Sequence, residues 1–365
     1  AVVAGIYRDD EVELPDGVEF YPVYFCSERL PYDIVGMSDE MPYKSTRYCD
    51  MTPEMVEQFR ASFFEVISPL VEQFQPDLIL CHHLYLLTAF VRQWFPDKKI
   101  YGFCHNTDLR QMQKTDLERT FIAEQIRKLD RIFVPQTAQQ DGVVDIYQVD
   151  IEKTMIVGMG YNNKIFYVTG EKPKDGVTRI VFAGKIAEKK GVMSLIRSLS
   201  LLGKKAPHVQ KGALQVYLAG SAGNETEYRE IQRLAEECPY EIHFLGRLAQ
   251  PALAKVYNEC DIFTLPSFFD GLPLTVIEAL ACGDRVVVSD LPGIQAWLGE
   301  YAPGADVRYV TMPQMRNTDE PVPESLPEFE ERLAKALLQS IRTNERKIAD
   351  VSKISWEGIA KKVLG

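Results

Sequence analysis

The chain has 365 residues, with 41 Lys and Arg against 52 Asp and Glu, and so carries a net charge of −11. That length favours two domains over one, and 46% hydrophobic with 25% charged residues suffices for sizeable cores. The acidic balance argues against a nucleic-acid or anionic-membrane binder, and neither an apolar run long enough to span a bilayer nor a signal peptide is found. The seven cysteines, at 26, 49, 81, 104, 238, 260 and 282, are odd in number and never spaced C-x-x-C. That is the pattern of a reduced, cytoplasmic chain whose cysteines mostly fill the core.

In chain order, AVVAGIY (1–7) reads as a buried strand and VEFYPVYF (18–25) as a second. A helix opens at Thr52-Pro53-Glu54, where Thr52 can cap and Pro53 suits the first turn. Met55, Val56, Phe59, Phe63, Val66, Ile67 and Val71 then recur at helical spacing. Strand DLILC (77–81), a helix from about Leu86, strand KKIYGFC (98–104), helix FIAEQIRKL (121–129) and strand RIFVP (131–135) follow. The polar stretch FYVTGEKPKDGVT (166–178) is the expected linker.

Alternation then restarts. Strand RIVFAG (179–184) leads to a helix from Gly191, strand LQVYLAG (214–220), helix EYREIQRLAEE (227–237) and strand EIHFLG (241–246). Helix PALAKVYNE (251–259), strand DIFTLP (261–266), helix LTVIEALA (274–281) and strand RVVVSD (285–290) continue it. An acidic, Pro-containing loop from Asn317 to Pro327 precedes a helix, and the amphipathic segment WEGIAKKVL (356–364) comes last. Such alternation predicts an α/β chain with two Rossmann-like parallel-sheet domains facing a cleft. Ligands of open parallel sheets bind outside the carboxyl ends of the strands, so residues just after strands are the first candidates.

Two segments there carry chemistry. In the first, Asp270-Gly271-Leu272-Pro273-Leu274 lies between strand DIFTLP and a helix expected to start near Leu272, with Glu278 further along that helix. Free N–H groups of the first turn, aided by the helix dipole, suit an anion or hydroxyl. On a helical rise, Asp270 and Glu278 stand roughly 9–12 Å apart along the axis. That is too far to share a proton or to form the usual retaining-glycosidase pair. It suits an elongated ligand with hydroxyls at both ends and an anion in the middle, such as a nucleotide-sugar. The segment alone equally fits an Asp270 N-cap and a surface Glu278. In the second segment, Gly184-Lys185-Ile186-Ala187-Glu188-Lys189-Lys190-Gly191, three lysines follow a strand. They can neutralise a diphosphate or form a solvated loop. The spacing is not that of a Walker motif.

With these residues in view, positions 178–300 resemble the retaining glycosyltransferases of the GT-B fold, group 1 (family 4). The family's G-R-x-x-x-x-K-G element is similar to Gly184 through Gly191, and its E-x7-E element to Asp270 through Glu278. Phe244-Leu245-Gly246-Arg247-Leu248 and Val286 through Gly293 match too. In the first half, His105-Asn106-Thr107-Asp108-Leu109-Arg110 resembles the family's H-G-T-D-L-R segment, and Asp77 through His82 its D-x-x-x-x-H strand end. VGMGYNNKIFYV (157–168) resembles the stretch before the family's linker.

The resemblance implies three segments: an acceptor-side domain 1–170, a donor-binding domain 171–345, and a helix 346–365 crossing back to the first domain. It also implies roles. Lys185 and Lys190 would hold the donor diphosphate and stabilise it as leaving group, and Asp270 with the backbone of Gly271 to Leu274 would hold the transferred sugar. Glu278 would take the ribose hydroxyls, Arg247 and Leu248 would lie by the base, and Gly184 would belong to the donor loop. His105 would stand at the reacting face, with Asp108 nearby and His82 toward the acceptor. The implied enzyme is a retaining hexosyltransferase without metal or cofactor, its donor a UDP- or GDP-sugar and its acceptor a small molecule or glycan. Nucleic acid is not an expected partner, membrane contact is at most peripheral, and oligomeric state is not legible.

Three departures bear on these roles. Lys185 stands for Arg and loses the bidentate fork, and Asp270 stands for Glu. The family's opening strand, glycine-rich loop and first helix are absent before AVVAGIY, and the expectation is that the numbered chain omits them. A nucleotide-sugar-binding or complex-forming subunit without catalysis, and a phosphorylase or epimerase on the same fold, are the alternative functions. Cys81-His82-His83 and Cys104-His105 lack the paired spacing of a zinc site and are read as core thiols beside polar histidines. Gly158-Met159-Gly160 is not a dinucleotide fingerprint, and Asn224-Glu225-Thr226 is a chance sequon.

Overall fold

Thr52 opens the longest described helix, α1 (Pro53–Phe74), by accepting a hydrogen bond from the Met55 N–H. Pro53 occupies the first turn, where its missing N–H costs nothing. Val56, Phe59, Phe63, Ile67 and Val71 form its buried stripe, while Met55 and Val66 are only half-buried at its margin. The computed structural model describes residues 1–365 except 39, 40, 42, 207, 208, 210, 211, 272, 318 and 344–346.

Ahead of α1, β1 (Val2–Ile6) and β2 (Phe20–Tyr24) pair in parallel, and β3 (Val35–Gly36) pairs with β4 (Thr46–Arg47). After it, β5 (Ile79–His82), β6 (Ile100–Phe103), β7 (Arg131–Val134) and β8 (Thr154–Ile156) form a separate parallel sheet in chain order. Its connections carry α2 (Leu86–Trp94), α3 (Thr107–Lys114), α4 (Arg119–Arg127) and α5 (Thr137–Tyr147).

The second half contains β9 (Thr178–Ala183), α6 (Val192–Lys205), β10 (Leu214–Ala219), α7 (Glu225–Glu236), β11 (Glu241–Gly246), α8 (Gln250–Glu259) and β12 (Ile262–Leu265). It continues through α9 (Leu274–Ala281), β13 (Arg285–Ser289), α10 (Ile294–Tyr301), β14 (Val307–Val310), α11 (Leu326–Ile341) and α12 (Trp356–Leu364). Its six strands are all parallel, in the order β11-β10-β9-β12-β13-β14. Ile180, Val181 and Phe182 of β9, Ile262 and Phe263 of β12, and Val286 to Val288 of β13 expose no surface. Such unbroken apolar runs are what strands covered on both faces require. The cover is helical, with α6 packed on α7 and α11, and α8 on α9.

Two compact units result, Ala1–Gly158 and Met159–Gly365. The division falls ahead of the 170/171 boundary expected from the polar linker, because Tyr161 and Phe166 are buried in the second core. Residues 347–365, which carry the expected closing helix, also group with the second unit. There the Trp356 N–H donates to the Tyr161 carbonyl at 3.0 Å, and a Cβ at Gly160 would come within 2.5 Å of the Trp356 ring. Among the described residues, no helix is long and apolar enough to cross a membrane.

Candidate active site

The strand order of the second unit reverses direction at β9 and β12, which lie side by side although β10 and β11 come between them in the chain. In an open parallel sheet, the crevice beyond the carboxyl ends of such a neighbouring pair is the binding position. The loops leaving these two strands are the two segments singled out above. They interlock through backbone: the Phe268 N–H donates to the Lys189 carbonyl at 3.0 Å. Gly191 has φ +73°, and a Cβ there would fall 1.9 Å from the Pro266 carbonyl oxygen, so only glycine permits this approach.

The contact places Lys190 Nζ 2.7 Å from Asp270 Oδ2 and 3.2 Å from the Phe269 carbonyl. Asp270 Oδ1 accepts from the Gly271 N–H at 3.1 Å, and Ser267 Oγ donates to the Phe269 carbonyl at 2.8 Å. Asp270 is not an N-cap. Helix α9 starts at Leu274 with Pro273 before it, and no side chain caps its first turn. The axial spacing of Asp270 and Glu278 therefore does not apply, since only Glu278 lies on the helix. Gly271 is exposed, Pro273 buried and Leu274 half-buried, and Leu272 lies outside the described residues.

Glu278 is not a surface residue. It is 7% exposed, between Ile277 and Ala279, which expose nothing. No described residue donates a hydrogen bond to its carboxyl group, which burial pushes up to about 7. A buried acid without a partner is costly unless a ligand supplies one.

Lys185 parts from the group. Its side chain is exposed, runs along Gly223, and lines a cavity of about 370 Å³ with Lys189, Asn224 and Asp319, not with Lys190 or Asp270. Asn224 of the chance sequon has a structural role, since its side-chain oxygen accepts from the Thr226 and Glu227 N–H groups and caps α7. Gly184 continues β9, its N–H donating to the Ala219 carbonyl at 2.9 Å. At the end of β11, Gly246 has φ +66° and its carbonyl accepts from the Gly220 N–H at 2.8 Å. Arg247 beyond it is exposed, and Leu248 is half-buried against the core.

In the first unit, the carboxyl ends of β5 and β6 bring three imidazoles together. His82 Nδ1 lies 3.0 Å from His105 Nε2, and the His83 and His105 rings are 4.6 Å apart between centroids. His82 also stacks on Phe103, with centroids 4.8 Å apart and planes at 14°. Burial is the main cause that holds all three histidines below their ordinary value. Asp108 exposes no surface. It accepts from the backbone N–H groups of Leu84 (2.8 Å), Leu109 (3.1 Å) and His105 (3.2 Å). It thus pins the turns that carry the histidines. His83 and Asn106 both have φ +67°, a region uncommon outside glycine in which Asn and His are the more frequent exceptions. Buried His83 Nδ1, Thr107 Oγ1 and Gln139 Oε1 have no hydrogen-bond partner among the described residues, as at a polar site built for another molecule.

Sequence reasoning missed His83, Thr107 and Gln139. The adjacency of His83 to His82 was visible, but strand alternation gave no reason to bring it onto His105. The cysteines correct the core reading in part: Cys104, Cys260 and Cys282 are buried, while Cys26 and Cys49 are exposed, and none forms a disulfide among the described residues. Burial pushes the Cys81 thiol up to about 12 and the Cys104 thiol upward as well, opposite to a nucleophile's needs.

Comparison with known proteins adds the family. Residues 177–309 match the family described as "Glycosyl transferases group 1". The D-inositol 3-phosphate glycosyltransferase of Stackebrandtia nassauensis is 26% identical over 195 residues, 50% of this chain and 44% of that protein. The N,N'-diacetylbacillosaminyl-diphospho-undecaprenol alpha-1,3-N-acetylgalactosaminyltransferase of Campylobacter jejuni is 30% identical over 150 residues, 38% of this chain and 36% of that protein. The chain thus spans less than half the length of these curated relatives. Among solved structures, the sucrose-phosphate synthase of Thermosynechococcus elongatus aligns over 94% of this chain and 87% of that one, at TM-score 0.53 and 18% identity. A glycosyltransferase from Rickettsia africae aligns over 89% and 83%, at TM-score 0.57 and 12% identity. Residues 177–309 are therefore similar to a glycosyl transferases group 1 domain, and the chain shares the parallel-sheet fold of these GT-B structures.

Proposed function

We propose that the chain transfers a hexosyl group from a nucleotide-diphosphate-sugar to an acceptor hydroxyl with retention of configuration, the second unit holding the donor. The observation that carries this reading is the Lys190–Asp270 pair between the loops of one strand switch point, with Glu278, buried and without a partner among the described residues, on the helix that follows the second loop. As a carboxylate, Glu278 accepts from two vicinal hydroxyls, which fits a ribose. Lys190 and the uncapped first turn of α9 meet the negative charge that grows on the diphosphate as the glycosidic bond breaks. That supply of positive charge makes the proposed chemistry metal-independent. Asp270 takes sugar hydroxyls, and Arg247 and Leu248 border the base. The His82–His83–His105 cluster of the first unit, braced by Asp108, serves the acceptor side.

Glycosyltransferase names among the relatives support the transfer chemistry, and the position of Lys185 favours a second reading. With this lysine lining a cavity that neither Lys190 nor Asp270 lines, a nucleotide-sugar-binding subunit without transfer is the competing function. The test begins with thermal-shift screening against UDP-, GDP-, ADP- and TDP-sugars, with the free nucleotides as controls. A ligand that binds only the folded chain raises its melting temperature. One base raising it, followed by release of free nucleotide when acceptors are added, supports the enzyme. No shift near a millimolar refutes the donor site, and binding without transfer or hydrolysis assigns the binding subunit.

A further inference from the structure

We infer that Asp270 pairs with Lys190 and hands it to the diphosphate when donor binds, so that donor binding is an exchange of anions on one lysine. This rests on the donor reading above and adds a step to it. Both Asp270 oxygens are engaged within the chain: Oδ2 with Lys190 Nζ at 2.7 Å, and Oδ1 with the Gly271 N–H at 3.1 Å. Each oxygen keeps a second lone pair, and a sugar hydroxyl donating to this carboxylate competes with Lys190 for its charge. A competitor for Lys190 is at hand, because a diphosphate is a stronger anion for the same ammonium group than a single carboxylate.

The pair is open to such exchange. Its side chains are 23% and 26% exposed, so a ligand anion can approach without unfolding the loops. Lys190 stays anchored throughout by the Phe269 carbonyl at 3.2 Å, which Ser267 Oγ also holds. The exchange therefore moves a carboxylate, not a loop. The side chain at position 270 also suits this exchange, since Asp is short enough to contact its own neighbour's N–H while bridging to Lys190.

The consequence is selectivity for a sugar-bearing nucleotide over the nucleotide alone. A nucleotide-sugar gives the displaced carboxylate new hydroxyl donors. A free nucleoside diphosphate gives it none and leaves it facing phosphate oxygens. After transfer, Asp270 loses its sugar partners and competes again for Lys190, which favours release of the spent nucleotide.

Calorimetric titration of wild type and Asp270→Asn with UDP, GDP, UDP-glucose and GDP-mannose tests this. Asn at 270 keeps the shape and removes the competing charge. Free UDP or GDP should bind the variant about threefold or more tighter than wild type, as expected for releasing a partly exposed ion pair and one repulsion. The preference for the sugar conjugate over the free nucleotide should fall in the same variant. Asp270→Ser, which also lacks the charge, should repeat the gain. Free-nucleotide binding that is unchanged or weaker in both folded variants overturns the exchange while leaving the donor site standing. Absence of binding by wild type to all four probes overturns the donor reading and the exchange with it.

Discussion

Replacing Glu278 by Gln should make the second unit more stable at neutral and alkaline pH while disabling its donor site. The carboxyl group is 7% exposed, has no donor among the described residues, and is pushed from 4.5 to about 7 by burial. Each pKa unit is about 1.4 kcal/mol, so ionising this group in the folded chain costs up to about 3 kcal/mol. Because the folded value is raised, the folded state binds more protons between the two values, and stability is lost as pH rises through them. Gln does not ionise and escapes that loss. At pH 8 the variant should melt on the order of 5–10 °C higher than wild type, and at pH 4.5 the difference should nearly vanish. Differential scanning calorimetry from pH 4.5 to 8.5 reads both limits. The same variant should bind a nucleotide-sugar about 10–100-fold more weakly, the scale of hydrogen bonds to a charged acceptor. A pH-independent difference, or a variant less stable at pH 8, would refute the claim that this carboxylate is buried without a partner. Stability held below its attainable value by a binding group is the usual signature of a functional position.

The first unit should respond to pH with the opposite sign. His82, His83 and His105 are held below their ordinary value, so the unfolded chain binds more protons, and stability falls as pH drops below about 6.5. Paired His82→Asn and His105→Asn substitutions should flatten that acid loss in melting curves between pH 8 and 5; an unchanged slope contradicts the assignment. Gly191→Ala forces a Cβ against the Pro266 carbonyl at φ +73° and should cost about 2 kcal/mol or more, lowering the melting temperature and donor binding together. Asn224→Ala removes the cap of α7 and should cost about 1 kcal/mol, read by chemical denaturation, with nucleotide binding intact.

Much of this architecture is carried by short-range pattern. Alternating strands and amphipathic helices, the Thr52 cap with Pro53, and the polar loops after β9 and β12 follow from side chains within a few residues of one another. From them came the parallel α/β class and the two segments that bear the candidate donor residues. Several helices escaped because their local signal is weak: α3 is the polar sequence TDLRQMQK, entered through Asn106 at positive φ. The polar linker misplaced the domain boundary because polarity marks exposure, while Tyr161 and Phe166 reveal membership only by the core they enter.

Strand order lies beyond any local pattern. Residues 190 and 270 become neighbours because β12 returns beside β9, which sets an ion pair across eighty residues of chain. The same return buries Glu278 without a partner among the described residues, and the analogous ends of β5 and β6 join His82 to His105. Lys185 and Lys190 looked equivalent as charges after a strand, yet only Lys190 meets Asp270. What the sequence by itself determined was therefore the set of elements and the loops able to bind. Which of those loops meet, and which charges are left paired, buried or alone, only the tertiary structure decided, because charge pairing and desolvation depend on distance in space.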